Sequence, residues 1–287
     1  MRWLVQAMVL FGSMVVGSGL ADEARAEPPA KRLFGAAAIP SAGPPAAIGA
    51  HARGCLAGGL ALPADGSGHQ AMRLSRGRYY GHPALIAFIE RLATTLQMQG
   101  HPGLLVGDLA QPRGGPMTSG HRSHQSGLDA DLWYLPAPRE RLNRAARETL
   151  SAVPLVTPGT LQLEAERFAE FRTLEVLRTA ARDPAVARLF VHPVVKRALC
   201  RRTEGERGWL RKVRPWWGHD HHFHVRLACP ERGAGCVDQD PPPPGDGCGE
   251  ELAWWFTDEP WAPSDAAPRA PLTLADLPGR CATLVAD

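Results

Sequence analysis

The segment from His221 to Leu227 reads HHFHVRL and, from His222 onward, alternates strictly between polar and apolar side chains. A period of two is typical of a β-strand with one buried face. The apolar members would face the core, and His222, His224 and Arg226 would share the opposite face. The segment therefore predicts a strand that presents two imidazoles side by side.

Histidine is concentrated around this strand. Four of the 11 histidines of the chain occupy the six positions from 219 to 224. Buried imidazoles need hydrogen-bond partners and are costly in groups, so a purely structural role explains this density poorly. Metal binding or acid–base chemistry is the better interpretation.

A second histidine-containing segment, residues 119–134, reads SGHRSHQSGLDADLWY. His121 and His124 lie in its glycine- and serine-rich part, and strict alternation begins at Leu128, so that Asp129 and Asp131 would face away from the core. Six residues separate His124 from Asp131, which allows a loop ligand and a strand ligand to converge on one ion. Two imidazoles and one carboxylate would leave the fourth position of a tetrahedral zinc ion open, as in catalytic sites.

Other hydrolase chemistries fit the sequence less well. It contains neither the His-Glu-x-x-His helix of a zincin nor the Gly-x-Ser-x-Gly turn of a serine hydrolase. A glycosidase with paired carboxylates is possible on composition, but it would leave the histidine clusters without a role.

The remaining pattern predicts an α+β fold. We expect a small central antiparallel sheet that carries the zinc site, with peripheral helices, long loops and a disulfide-stapled C-terminal tail. Apolar spacing and flanking proline or glycine predict three helices, over residues 84–99, 164–181 and 193–200. Short apolar runs predict further strands over residues 104–106 and 188–191. The proline-rich end of the chain, from about residue 238 to 287, shows no periodicity and is predicted to wrap around the body.

Length and charge limit the functional classes. The chain has 287 residues and a formal net charge of +3, too small to indicate a nucleic-acid-binding protein. Its 30 glycines and 27 prolines indicate a single domain with long loops, which we place at residues 27–287.

The first residues indicate export. Residues 3–20 are apolar or small and follow Arg2, which predicts a signal peptide within residues 1–26, cleaved after residue 21 or 26. A membrane anchor is the alternative, disfavoured by the short length and polar content of the segment. The mature protein should therefore not insert stably into a membrane.

All six cysteines follow the cleavage sites, and their even number favours disulfides, with 15 pairings open on spacing alone.

Both histidine segments resemble the penicillin-insensitive murein endopeptidases, which belong to a wider group of zinc peptidases that includes lysostaphin and the D-Ala-D-Ala metallopeptidases. The group's His-x6-Asp and His-x-His signature matches His124, Asp131, His222 and His224. The resemblance extends from about Ile48 to Cys281 through five further motifs: RGRYYGHP, LLVGDLAQPRGG, FVHPVVKRALC, WLRKVRPWW and GDGCG.

This resemblance implies a periplasmic endopeptidase that cuts the D-alanyl to meso-diaminopimelyl cross-links between peptidoglycan stem peptides. By position, His124, Asp131 and His224 would hold zinc, and His121, which matches a further family histidine, would contact the metal as well. His222 would be the base that activates water, and His219 a second active-site imidazole. The family's cysteine pattern would pair Cys55 with Cys281, Cys200 with Cys248, and Cys229 with Cys236.

Three points stay open at this stage. A second zinc ion is not carried over, because no aspartate lies between Asp131 and Asp183 to hold it. Two alternative functions remain. One is a zinc D,D-carboxypeptidase or dipeptidase that acts on D-Ala-D-Ala termini, and the other is a non-catalytic zinc protein that binds peptidoglycan. The oligomeric state is not predicted.

Overall fold

The computed structural model describes residues 27–230, 235–267 and 269–286. The predicted signal peptide lies outside these residues. None of the described helices is both long and apolar enough to cross a membrane.

The described chain is α+β, as predicted. Its strands are β1 (Ala46–Ala50), β2 (Arg53–Ala57), β3 (Leu60–Ala61), β4 (Asp65–Gly66), β5 (His69–Ala71), β6 (Tyr80–Gly81), β7 (Leu104–Val106), β8 (Asp129–Pro136), β9 (Val186–Val191), β10 (Val213–Pro215) and β11 (His222–Leu227). Its helices are α1 (Ala30–Ala36), α2 (Pro83–Met98), α3 (Arg144–Thr149), α4 (Ala165–Glu170), α5 (Thr173–Arg182), α6 (Pro193–Arg202), α7 (Glu250–Ala253) and α8 (Gly279–Ala286). Short 3₁₀ turns occupy Leu74–Arg76, Gly208–Lys212, Trp254–Phe256, Glu259–Trp261 and Leu274–Asp276.

A seven-stranded sheet lies at the centre, in the order β10-β9-β11-β8-β7-β5-β4. The four middle strands pair antiparallel, as the sequence predicts, whereas β10 and β5 join it through parallel pairs. Two separate hairpin-like pairs, β1 with β2 and β3 with β6, lie outside this sheet.

The predicted alternation of β8 and β11 is present. His224 lies opposite Asp131 and Arg226 lies opposite Asp129, while Phe223 lies opposite Leu132 on the other face. The apolar face of both strands is fully buried in the main core. The polar face of the same strand pair therefore collects the histidines and aspartates that the sequence singled out.

The predicted helix over residues 84–99 is α2. His82 caps it by accepting a hydrogen bond from the Ala84 backbone N–H at 3.2 Å, and Pro83 occupies its first turn. It ends just before Gly100, which adopts the left-handed conformation with φ of 79°. Its apolar face packs into the main core.

The helix predicted over residues 164–181 is wrong as a single element. It is interrupted between α4 and α5, where Arg172 adopts a left-handed φ of 50°. The Arg172 guanidinium donates to the Gln99 carbonyl at 2.9 Å, across to the end of α2, and also pairs with Glu175. Apolar periodicity continues through the break, so the pattern alone does not reveal it.

Three disulfides have the pairing that the resemblance implies. Cys55–Cys281 joins β2 to α8, Cys200–Cys248 joins α6 to the C-terminal tail, and Cys229–Cys236 closes a small loop after β11. The tail is more helical than its composition suggests, since it includes α7, α8 and three of the 3₁₀ turns. Its two ends are thus fixed covalently to the body.

Removal of the Cys55–Cys281 bridge should cost more stability than removal of the Cys229–Cys236 bridge. The first spans 226 residues and the second spans 7, so the chain-entropy model gives about 5 and about 2 kcal/mol. Urea unfolding of the Cys55→Ala/Cys281→Ala and Cys229→Ala/Cys236→Ala variants measures both losses. Equal losses would show that loop length does not govern the stability of this fold.

Candidate active site

The polar face of β8 and β11 forms the floor of the site, and the loop before β8 covers one side. His124 lies in this loop with a left-handed φ of 65°, and His219, just before β11, has a φ of 56°. Such conformations are costly for residues other than glycine and recur at functional sites. Two of the predicted site histidines are therefore held in strained backbone positions.

Three donor atoms form a close triangle at the centre. His124 Nε2 lies 3.1 Å from His224 Nδ1, His224 Nδ1 lies 3.1 Å from Asp131 Oδ1, and Asp131 Oδ1 lies 3.4 Å from His124 Nε2. All three residues are buried. Ligand atoms about 2.0–2.1 Å from a tetrahedral zinc ion are separated by roughly 3.3 Å, so the triangle matches the spacing of metal ligands.

His121 adds a fourth donor at the edge of this triangle. Its Nδ1 lies 3.4 Å from Asp131 Oδ2, and ligand atoms of His121, His124 and Asp131 all lie within 4.8 Å of one another, which makes them a candidate metal-binding cluster. His121 Nε2 is hydrogen-bonded to Asp108 Oδ2 at 3.0 Å. The Asp108 carboxylate on Nε2 fixes the orientation of the His121 ring, so that Nδ1 faces the triangle. Carboxylates orient histidine ligands in this way in many metal sites.

Asp108 is a site residue that the sequence reading missed. It follows β7 and is buried, and its carboxylate also accepts hydrogen bonds from Arg76 and Arg78. Burial would raise the pKa of this carboxyl, but His121 and the arginines outweigh burial and hold the pKa below its usual value. Its position two residues after a short buried strand was the available signal for a site residue, but nothing in the local sequence indicates that it contacts His121.

Asp129 and Arg226 support the triangle from beneath. Arg226 Nε and Nη2 donate to the two Asp129 oxygens at 2.9 and 3.0 Å, and both side chains are buried. Asp129 Oδ2 also accepts the backbone N–H of His124 at 3.0 Å. The same carboxylate thereby joins the strand pair and fixes the strained loop residue.

Burial and neighbouring charges shift the pKa values of two groups of the triangle. Burial would raise the pKa of the Asp131 carboxyl, but His222 and His124 outweigh it and hold the pKa well below its usual range. Burial would lower the pKa of His224, but Asp129 and Asp131 together outweigh burial and raise it to about 9. Ionised carboxylates around converging imidazoles favour a cation at this position.

His222 and His219 lie beside the triangle. His222 Nε2 is 3.6 Å from Asp131 Oδ1, and the rings of His219 and His222 are 4.9 Å apart. Burial lowers the pKa of His222 to about 4 and that of His219 to about 3, so both rings are neutral near pH 7. His219 Nδ1 lies 2.8 Å from the Trp217 carbonyl, to which it donates, leaving Nε2 with a lone pair.

Two clefts border the site on different sides. The Arg73 cleft, of about 340 Å³, reaches the site at His121, Asp131 and His222 and is also lined by Arg73, Arg76, Trp133 and Asp220. The Trp216 cleft, of about 540 Å³, is lined by Arg188, Phe190, Arg214, Trp216, Trp254 and Trp255, among others. The Phe190 ring is 5.4 Å from the His224 ring, which joins the second cleft to the site.

Most of this chain is similar in sequence to known proteins. The family model for penicillin-insensitive murein endopeptidase matches residues 47–286. A protein of that name from Haemophilus influenzae is 43% identical over 226 residues, covering 79% of this chain and 78% of the relative. One from Pectobacterium atrosepticum is 43% identical and one from Klebsiella pneumoniae 41% identical, each covering 86% of this chain and 86% or 88% of the relative.

Replacement of Asp129 should strongly destabilise the fold. Asp129→Asn leaves the Arg226 guanidinium buried without a countercharge, which typically costs about 3–5 kcal/mol. Urea denaturation measures the loss. Glu206→Gln is the control, because it breaks an Arg182 ion pair in which both side chains are more than half exposed, and it should leave the midpoint nearly unchanged. A small effect of Asp129→Asn would show that the pair does not hold the strands together.

Proposed function

The chain belongs to the penicillin-insensitive murein endopeptidase family, and from that premise we propose that it hydrolyses the cross-links between peptidoglycan stem peptides in the periplasm. The bond cut is the amide between D-alanine and meso-diaminopimelate. The observation that carries the proposal is the buried triangle of His124, Asp131 and His224, with two neutral imidazoles beside it. Three disulfides and a predicted signal peptide agree with an extracytoplasmic site of action.

The metal in this proposal is zinc. Two imidazole nitrogens and a carboxylate oxygen are typical zinc ligands, and their spacing of 3.1–3.4 Å suits a tetrahedral ion. His124, Asp131 and His224 would hold the ion, and His121 is close enough to join them. When bound, zinc supplies Lewis acidity, which acidifies water and polarises a carbonyl.

His222 is the general base of the proposed reaction. It is neutral near pH 7, it is partly exposed, and its Nε2 faces the Asp131 carboxylate at the centre of the site. It would take a proton from the attacking water and return it to the leaving amine. His219, held by the Trp217 carbonyl, would orient His222, and the imidazolium that His222 becomes on taking the proton would stabilise negative charge on the substrate.

The two clefts support an endopeptidase over a carboxypeptidase. An enzyme that removes a terminal D-alanine needs a pocket that closes around a free carboxylate, whereas a cross-link cutter must accommodate peptide on both sides of the scissile bond. The Arg73 cleft and the Trp216 cleft adjoin the same site, and each is open to solvent. Both arms of a cross-linked dimer therefore have a surface on which to lie.

Digestion of purified cross-linked muropeptides tests the activity and the metal together. The protein should convert dimers to monomers, a chelator should abolish turnover, and added zinc should restore it. Benzylpenicillin should have no effect, because no serine nucleophile is involved. His124→Ala should lose both bound zinc and activity.

Three results would contradict this proposal. Loss of activity to penicillin with retention in chelator would exclude the metal mechanism. Shortening of pentapeptides to tetrapeptides without cleavage of dimers would indicate the carboxypeptidase. Zinc binding without any turnover would indicate a peptidoglycan-binding protein.

Replacement of the base should separate catalysis from metal binding. His222→Gln should lower kcat about 100-fold or more while bound zinc, measured by elemental analysis, stays at the wild-type level. KM for the dimer should change little, because the base acts on water and not on the bound peptide. If this variant kept the wild-type rate, His222 would not be the base.

A further inference from the structure

The Trp216 cleft is built by elements that supply no metal ligand or base to the proposed reaction. One wall is the polar face of β9 and β10, and the other is the tail, which contributes Gln239, Glu251, Trp254 and Trp255. The Cys200–Cys248 disulfide and a hydrogen bond from Trp217 Nε1 to the Pro260 carbonyl, 2.8 Å long, fix the tail against this face. The cleft is therefore a preformed feature of the fold.

Aromatic rings form much of its surface. Trp216 is 49% exposed and Trp217 is 42% exposed, although both pack edge to face, with ring centres 5.1 Å apart. Trp217 also packs against Trp255 at 4.5 Å, so the exposed rings are supported from behind. Rigid, exposed indoles beside an active site are typical of binding surfaces.

Three arginines occupy neighbouring positions on the strands beside this cleft. Arg226 lies opposite Arg188 in the pairing of β11 with β9, and Arg214 lies beside Phe190 in the pairing of β10 with β9. Like-charged groups this close are unfavourable unless anions accompany them. We therefore expect carboxylates close to these three guanidinium groups.

The described chain supplies carboxylates to two of the three. Arg226 pairs with Asp129, and Arg214 pairs with Glu251. Within the described ranges, Arg188 has no carboxylate oxygen within 4 Å; it donates instead to the Gln239 amide oxygen at 2.8 Å and to the Asp240 carbonyl. Among the described residues, Asp240 compensates its positive charge at longer range.

Arg188 also lies at a defined distance from His224, one corner of the triangle. Phe190 lies directly opposite His224 in the sheet, and Arg188 is two residues away on the same face of β9. Two strand residues span roughly 7 Å, which is about two residues of an extended peptide. A substrate arm leaving the site past Phe190 would bring a group two or three residues from the scissile bond to Arg188.

We propose that the Trp216 cleft binds one acidic peptide arm of the cross-linked substrate, with a free carboxylate on Arg188 and the peptide lying against Trp216 and Trp217. This inference rests on the proposed function, because it names where that substrate lies. The guanidinium can exchange its neutral amide and carbonyl acceptors for a bidentate carboxylate. Charge complementarity favours an acidic peptide over the neutral sugars of the glycan strand.

Binding of a stem tetrapeptide, the monomer product, tests the site without turnover. By isothermal titration calorimetry, Arg188→Gln should weaken binding about tenfold or more, as expected for loss of a charge-assisted hydrogen bond. The same peptide with its carboxylates converted to amides should bind the wild-type protein weakly, and Arg188→Gln should not weaken it further. Arg188→Lys should be intermediate. Arg182→Gln, outside both clefts, is the matched control.

Turnover of the cross-linked dimer supplies the second measurement. Arg188→Gln should raise KM for the acidic dimer about tenfold, with a much smaller change in kcat, and should lose most of the preference for the acidic over the amidated dimer. Trp216→Ala should raise KM for both dimers, because it removes contact area and not charge. Circular dichroism of each variant checks that the fold is retained.

The outcomes separate the two proposals. If the protein cuts dimers but binding and KM do not depend on Arg188, the cleft assignment is wrong while the proposed function stands. If binding depends on Arg188 but no dimer is cut, the proposed function fails instead. If an N-acetylglucosamine oligosaccharide binds in a Trp216-dependent manner and the acidic peptide does not, the cleft is a glycan site and the inference is overturned.

Discussion

The Asp129 carboxylate is the group on which the site depends most. It accepts two hydrogen bonds from Arg226 across the β8–β11 pair, and a third from the backbone of His124. It is also the main charge that raises the pKa of His224 above its burial-lowered value. Strand register, loop conformation and the ionisation of an imidazole are therefore coupled through one buried side chain. A shift of one residue in the register would turn His224 and Asp131 into the apolar core.

A buried ion pair is an expensive way to hold two strands together. Apolar residues of similar volume often stabilise a fold as well or better. The pair fits this position because the opposite face of the same strands already supplies the apolar core, through Ala130, Leu132, Phe223 and Val225. The polar face can therefore carry the charged side chains that position the site. We infer that the Asp129–Arg226 pair serves the geometry of the site more than the net stability of the protein.

The sequence predicted the parts of the fold that depend on periodicity and local chemistry. The alternation of β8 and β11, the amphipathic α2 and the disulfide pairing implied by the resemblance are all present. Sequence reasoning failed where a tertiary contact overrides a local pattern. The left-handed Arg172 interrupts an otherwise regular apolar repeat, and Asp108 reaches His121 only because β7 lies next to β8. A window of neighbouring residues can mark Asp108 as a polar residue after a strand, but it identifies the partner of neither contact.

The C-terminal tail is a second case in which local sequence does not predict the tertiary contacts. Its proline-rich composition predicts an extended wrapping segment, and nothing in that pattern indicates that its tryptophans meet the Trp216–Trp217 pair. Once the tail is fixed at Cys248 and Cys281, it becomes a wall beside a site formed by two earlier segments, residues 121–131 and 219–224. The central sheet alone would expose the row of Arg188, Arg214 and Arg226 on an open face. The tail encloses this row and adds aromatic surface, so a segment without periodicity shapes the access to the candidate site.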